Sequence, residues 1–261
     1  METKLTDCVE VKCEMLTIEK LTKQYPVPHS KGALPYKKAL GGVSFTLSPG
    51  LYGLLGPNGA GKSTLINIIT GSLSPTEGKV LWDGKSTAVL GKKFRAILGY
   101  MPQQQNLYDS FTGLLFLQYL AALKEIKPKD TAAEVERVAA LVHLTAELPK
   151  KLSAYSGGMK QRLLAAAALM GAPELIIMDE PTAGLDPKER VRLREVLAKL
   201  AKSAIVLVAT HVVSDVESVA DEIILLKHGE IVDKASPAAL CEKYKAQSLE
   251  DVYLSIFGAD E

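Results

Sequence analysis

One stretch constrains the fold of this chain more than any other: GPNGAGKST, Gly56 to Thr64. It lies between the apolar run LYGLL, which starts at Leu51, and KSTLINIIT, whose apolar positions recur at helical spacing. Strand, glycine loop and helix in that order satisfy GxxxxGK[ST] in the context the pattern requires. The glycines let backbone N–H groups turn inward around a phosphate chain. The helix that begins near Lys62 aims the positive end of its dipole at the same point. Gly56, Pro57, Asn58, Gly59, Ala60, Gly61, Lys62, Ser63 and Thr64 are therefore candidate phosphate-binding residues. Lys62 would reach the β- and γ-phosphates of a nucleotide, and the Ser63 hydroxyl would ligate Mg²⁺.

The flanking pattern is that of an α/β protein. Short β-rich runs come first, MLTIEKL from Met15 and VSFTL from Val43, with the loop or insertion PVPHSKGALP between them. KVLWDGKS follows the glycine loop and its helix, with a turn at Asp83-Gly84. From about 112 to 147 the character changes: TGLLFLQYLAAL and TAAEVERVAALVHL are both helical in period, and no strand-like run parts them. A helical subdomain is expected there. Beyond the helix SGGMKQRLLAAAALM the alternation resumes, with ELIIMDE, PKERVRLREVLAKLA, SAIVLVAT, VSDVESVA as the next helix, and DEIILLKHGEIVD closing in a hairpin at His228-Gly229. Apolar strands with helices between them imply a parallel sheet buried on both faces. Two helical segments, ASPAALCEKY and SLEDVYLSIFG, form the tail. The expected divisions are a nucleotide-binding core at about 14–111 and 171–235, a helical subdomain at about 112–170, and a tail at 236–261.

Composition narrows the partners. With 31 Lys and Arg against 30 Asp and Glu, the chain has no net attraction for nucleic acid or an anionic membrane surface. Cys8, Cys13 and Cys241 are odd in number and contain no CxxC, which fits a reducing compartment. METKLTDCVEVKCE has no apolar h-region, so no secretory signal is expected. The longest apolar run, Leu163 to Pro173, falls short of the roughly 20 residues a spanning helix needs. The chain is therefore expected not to cross a membrane.

Kinases, GTPases, motors and transport ATPases share the phosphate cradle, so other residues must choose among them. ELIIMDE is an apolar strand ending in Asp179 and Glu180. The first carboxylate would hold the Mg²⁺ shell, and the second would orient and deprotonate an attacking water. A guanine-reading [NT]KxD segment is absent, which leaves adenine recognition by stacking. Ser156-Gly157-Gly158 opens another helix and offers a second phosphate-binding start. One chain holding one nucleotide has no use for two such starts. Two chains do, if the Ser-Gly-Gly of one closes over the γ-phosphate held by the other.

At this point the residues closely resemble the nucleotide-binding subunit of an ATP-binding cassette (ABC) transporter, over nearly the whole chain. GPNGAGKST resembles its Walker A, YSGGMKQR its signature, LIIMDEP its Walker B and AGLD, Ala183 to Asp186, its D-loop. The resemblance implies a P-loop NTPase with a RecA-like parallel core sheet, an N-terminal antiparallel β portion and an inserted helical subdomain. It also supplies a Q-loop glutamine, Gln103 in YMPQ, which would touch the Mg²⁺ shell and sense a permease; GYMP selects it over Gln104 or Gln105. VLVATH supplies a switch histidine, His211, as catalytic partner of Glu180, whereas His29, His143 and His228 gain no such support. The family stacks adenine on an aromatic near the end of the first strand, which is Tyr25, with Tyr36 as the rival. The signature departs from the usual LSGGQ, with Tyr155 before the serine and Met159 in place of glutamine.

The tail LEDVY resembles the ending of ATPase subunits that pair with separate ABC-2-type export permeases. The implied protein binds ATP and Mg²⁺ and works as a pair of like or similar cassettes. It would drive an integral membrane permease from the cytoplasmic face of the membrane, with export the favoured direction. The cargo site would belong to the permease. A soluble cassette acting on ribosomes or DNA, and a cassette that binds ATP without turnover, are the rival readings.

Overall fold

The computed structural model describes residues 15–26, 36–103 and 107–258. Cys8, Cys13, His29, Gln104, Gln105 and most of the Pro-rich segment therefore lie outside the described residues. The chain opens with β1 (Leu16–Pro26), β2 (Tyr36–Leu47) and β3 (Gly50–Leu55), then α1 (Lys62–Ile69). Next come β4 (Glu77–Trp82), β5 (Lys85–Ser86), the short helices α2 (Thr87–Leu90) and α3 (Lys92–Ile97), and β6 (Leu98–Met101). The helical stretch holds α4 (Gly113–Leu123), α5 (Pro128–Leu141) and α6 (Gly157–Ala168). β7 (Leu175–Asp179), α7 (Pro187–Leu200), β8 (Ile205–Thr210), β9 (Glu222–Lys227) and β10 (Glu230–Ala235) complete the core, and α8 (Pro237–Tyr244) and α9 (Leu249–Phe257) the tail.

Two sheets result. The first is antiparallel, in the order β2-β1-β4-β5; the second runs β10-β9-β3-β8-β7-β6, parallel throughout except for β10. β3, β7 and β8 are buried at every residue, as a parallel sheet covered on both faces demands. Alternate side chains go to opposite layers. Leu51, Ile176, Val206 and Ile223 join the layer under α4 to α9, whereas Tyr52, Ile177, Leu207 and Ile224 join the layer shared with α1 and the antiparallel sheet.

Helix starts follow side-chain chemistry. Thr112, Ser156, Asp186, Ser236 and Ser248 each accept a hydrogen bond from a first-turn N–H, and Ser248 with Asp251 forms a reciprocal capping box. The predicted turns at Asp83-Gly84 and His228-Gly229 both have positive φ at each central residue, the geometry of a two-residue hairpin. Gly229 is further constrained, since a Cβ there would lie 2.5 Å from the Ala39 carbonyl oxygen.

Three segments differ from the sequence expectation. β2 begins at Tyr36 rather than Val43, because β1 pairs with it as far as Pro26↔Tyr36 across several register shifts. VSDVESVA is not an α-helix: Val213–Asp215 forms a single 3-10 turn, with Val216 and Asp215 both buried. β6 and the short α2 and α3 complete an edge where the sequence offered only the motif GYMPQ. No helix among the described residues is long and apolar enough to cross a membrane.

Candidate functional site

Parallel strands ending together make a crevice at their C-terminal edge. β3 delivers the glycine loop there, β7 delivers Asp179 and Glu180, and β8 delivers Thr210 and His211. Their register is direct, with Leu55 opposite Thr210 and Asp179 opposite Ala209. A cavity of about 560 Å³ opens above them. Its floor is Pro57, Asn58, Gly59, Gly61, Lys62, Ser63 and Thr64; Gln103, Asp179 and Glu180 face them. Gly56 and Ala60 are buried beneath the loop, and a Cβ at Gly56 would sit 2.3 Å from the Leu226 carbonyl oxygen. That approach admits only glycine.

Within the loop the Lys62 ammonium donates to the Gly56 and Pro57 carbonyl oxygens, at 2.5 and 3.2 Å. The Ser63 hydroxyl donates to Asp179 Oδ2 at 3.2 Å. Beside them the Glu180 carboxylate accepts from the Thr210 hydroxyl at 3.0 Å and from the His211 backbone N–H at 3.1 Å. His211 Nδ1 lies 2.7 Å from Glu180 Oε1. Glu180 has φ 51, the left-handed region, which costs a non-glycine residue about 1–2 kcal/mol and calls for bracing.

The sequence from residue 40 to 183 matches the family described as "ABC transporter". The chain belongs to that family. This ABC transporter chain is 36% identical over 239 residues to the linearmycin resistance ATP-binding protein LnrL of Bacillus subtilis (strain 168), covering 88% of this chain and 74% of the relative. It is 35% identical over 213 residues to the Nod factor export ATP-binding protein I of Rhizobium sp. (strain N33), covering 80% and 69%. Among longer relatives it spans 24% of the length of the ABC transporter A family member 4 of Arabidopsis thaliana. The dimeric post-hydrolysis structure of the ATP-binding cassette MJ0796, bound to ADP and Pi, superposes with a TM-score of 0.75 at 28% identity, covering 85% of this chain and 98% of that one. The protein is thus an ATP-binding ABC ATPase subunit of the P-loop α/β class.

Other predicted residues of this ABC subunit sit apart from the cavity. Ser156, Gly157 and Gly158 are at the start of α6, outside its wall, with Ser156 and Gly157 exposed. His211 reaches the site through Glu180 rather than by lining it. Of the rival tyrosines, Tyr25 lines the cavity and carries Lys23 5.3 Å from its ring centroid, whereas Tyr36 lies outside it and is 55% exposed. Lys37, Lys38 and Ala39 of β2 also line it, none of them a candidate from the sequence, and so does His228 of the β9–β10 turn, which the sequence placed in a hairpin and gave no part in the site. The length of β1 holds the signal for Lys37, which pairs with Tyr25. For His228 no local signal exists, because Gly229 N–H to Ala60 and Gly41 N–H to the Gly229 carbonyl bring the turn to the loop from far along the chain.

Burial shapes the charges. The Asp179 carboxyl is pushed above its ordinary range by burial and by the neighbouring Glu180, against the pull of Ser63 and Lys62. Burial likewise holds the Lys62 ammonium below its ordinary value, opposed by Glu180 and Asp179. A carboxyl whose folded pKa is raised stabilises the fold when protonated, and that contribution is lost as pH rises through the raised value. Nucleotide-free Asp179→Asn should therefore be more stable than wild type at neutral pH. The gain should be on the order of 1 kcal/mol, or roughly 2–4 °C in melting temperature, and should shrink on acidification. Thermal melts from neutral to acid pH check this; a less stable or pH-independent variant would refute the electrostatic account.

Proposed function

We propose that this chain is the motor subunit of an exporter, working as a pair of cassettes beneath a separate membrane permease. In this reading the backbone of residues 56–64 cradles ATP, Tyr25 stacks on adenine, and Ser63, Asp179 and Gln103 serve Mg²⁺. Glu180 takes the proton from the attacking water, with His211 as its partner, and Ser156, Gly157 and Gly158 close over the γ-phosphate of the second cassette. The single observation that carries it is the meeting of Lys62, Ser63, Asp179 and Glu180 at one cavity, with Ser63 bonded to Asp179.

Mg²⁺ fits this donor set. It prefers one or two protein oxygens plus phosphate and water, and the Ser63 hydroxyl with the Asp179 carboxylate offers that. Among the described residues no cluster of three or more His, Cys, Asp or Glu forms a site able to hold a metal. The ion is accordingly assigned to arrive with the nucleotide, where it neutralises phosphate charge.

Permease contact is assigned to the surface near Gln103 and the helical insert at about 112–170, the ATP-binding core being about 14–111 and 171–235. Supporting this, Leu115, Tyr119 and Leu123, spaced four apart along α4, and Tyr108 just before the insert are all exposed beyond 40%. Tyr108, Phe111 and Tyr119 cluster there, with ring centroids 5.0 to 6.4 Å apart. The outward direction rests on the Nod factor export relative, and the cytoplasmic membrane face follows from the permease.

The test is to tag the protein in its native cell, separate membranes from cytosol, crosslink, and identify what sediments with it. A polytopic membrane partner is expected. Recovery only with ribosomes, DNA or no partner would replace the transport reading with a soluble ATPase. Adenine stacking is tested alongside: Tyr25→Ala should raise the KM for ATP about 5- to 10-fold, the worth of roughly 1–1.4 kcal/mol of aromatic contact, while Tyr36→Ala leaves it within about twofold. The reverse ranking in an ATPase assay would transfer the role to Tyr36.

A further inference from the structure

Glu180 is held from two sides. Its N–H donates to the Ala209 carbonyl at 2.8 Å, and its carboxylate is bonded to Thr210 and His211, so three anchors come from β8 and the residue after it. The fourth comes from another element. Gln161, one turn into α6, donates its amide Nε2 to the Glu180 carbonyl oxygen at 2.9 Å. The same helix start packs on the turn after Glu180, since a Cβ at Gly158 would lie 3.3 Å from the Gly184 carbonyl oxygen.

We propose that Gln161 is a positioning residue for hydrolysis: its amide fixes the peptide that follows Glu180 and so aims the Glu180 carboxylate. This rests on Glu180 being the general base. The direction of a side chain follows from the two peptide planes that flank its Cα. At Glu180 the preceding plane is fixed by Ala209 and the following one by the shorter bond from Gln161 together with the local turn bond from Ala183, at a left-handed φ that calls for such bracing. α6 begins with Ser156-Gly157-Gly158, so a shift of that helix start reaches the carboxylate through one side chain.

A structural role and an aiming role separate cleanly here. The Glu180 carbonyl also accepts the Ala183 N–H at 3.2 Å, so loss of Gln161 leaves no orphaned carbonyl and little reason for the fold to weaken. What is lost is the aim, and a misplacement of about 1 Å can cost on the order of 100-fold in rate. Gln161→Ala and the isosteric Gln161→Glu, which lacks the donor when ionised, should each lower kcat about 10- to 100-fold. The KM for ATP, the affinity for a fluorescent ATP analogue and the melting temperature should stay near wild type.

The purified full chain is assayed for phosphate release beside Glu180→Gln. If Glu180→Gln still turns over, the base assignment falls and the premise goes with it. If Glu180→Gln is inactive while both Gln161 variants hydrolyse within about twofold of wild type, the aiming role alone is overturned. A joint loss of kcat, nucleotide affinity and melting temperature would also overturn it, making Gln161 a packing residue.

Discussion

Glu180→Gln is expected to abolish steady-state ATP hydrolysis while leaving ATP binding and ATP-driven pairing intact. Glutamine keeps the length and shape of the side chain, and its oxygen can still accept the His211 N–H that now meets Glu180 Oε1. What it lacks is basicity. A positioned general base contributes typically about 10²- to 10⁴-fold, so turnover should fall into the background of a phosphate-release assay. Blocked after binding, the variant should accumulate as an ATP-bound dimer, visible as a doubled mass by size exclusion with multi-angle scattering. Turnover near wild type would remove Glu180 from the chemistry.

Lys62→Ala should fail earlier, at binding. The Lys62 side chain is buried beside Glu180 and Asp179, and its ammonium is tied to two carbonyl oxygens of the loop it serves. Charge-assisted hydrogen bonds are worth about 1.5–3 kcal/mol each, so losing two toward phosphate, about 3–6 kcal/mol, predicts ATP affinity weaker by on the order of 10²- to 10⁴-fold. The loop loses its internal brace as well. Titration with a fluorescent ATP analogue reads the effect, and affinity within tenfold of wild type would show that the backbone N–H groups carry the phosphate without Lys62. The two variants separate binding from chemistry: Lys62→Ala should show no ATP-induced dimer, Glu180→Gln a persistent one.

What could be read from the chain was whatever is local. The glycine loop announced itself because strand, loop and helix are contiguous, and β7 because five apolar or acidic residues run uninterrupted to Asp179. The helical stretch was legible from the period of α4 and α5. The remainder depended on distant pairing. β6 is four residues long and gains its identity from β7 beside it, Leu98 opposite Leu175. The segment has valines at near-helical spacing, Val213, Val216 and Val219, yet the buried Asp215 carboxylate accepts from the Thr182 hydroxyl, which ties it to the turn after Glu180. Lys38 and His228 enter the cavity wall because β2 and the β9–β10 hairpin converge on it, Lys38 reaching Glu230 at 2.7 Å. Gln161 was visible only as part of a motif; its hydrogen bond to Glu180 belongs to the packing of α6.

The central strands bury side chains on both faces, so their apolar pattern does not by itself fix which residue goes to which layer. In a sheet with one wet face, a slip by one residue turns apolar groups into water and is punished at once. Here both layers are apolar, so β7 moved by one position would exchange Ile176 and Ile177 between equally dry surroundings. Alignment must be policed elsewhere, and the strand ends supply the means: Asp179 meets Ser63 in one frame and points to the opposite face in the next. A one-residue slip of β7 would thus cost turnover outright, whereas in β3 the frame is also fixed by space, since a Cβ at Gly53 would lie 2.7 Å from Ile223 and one at Gly56 2.3 Å from the Leu226 carbonyl oxygen.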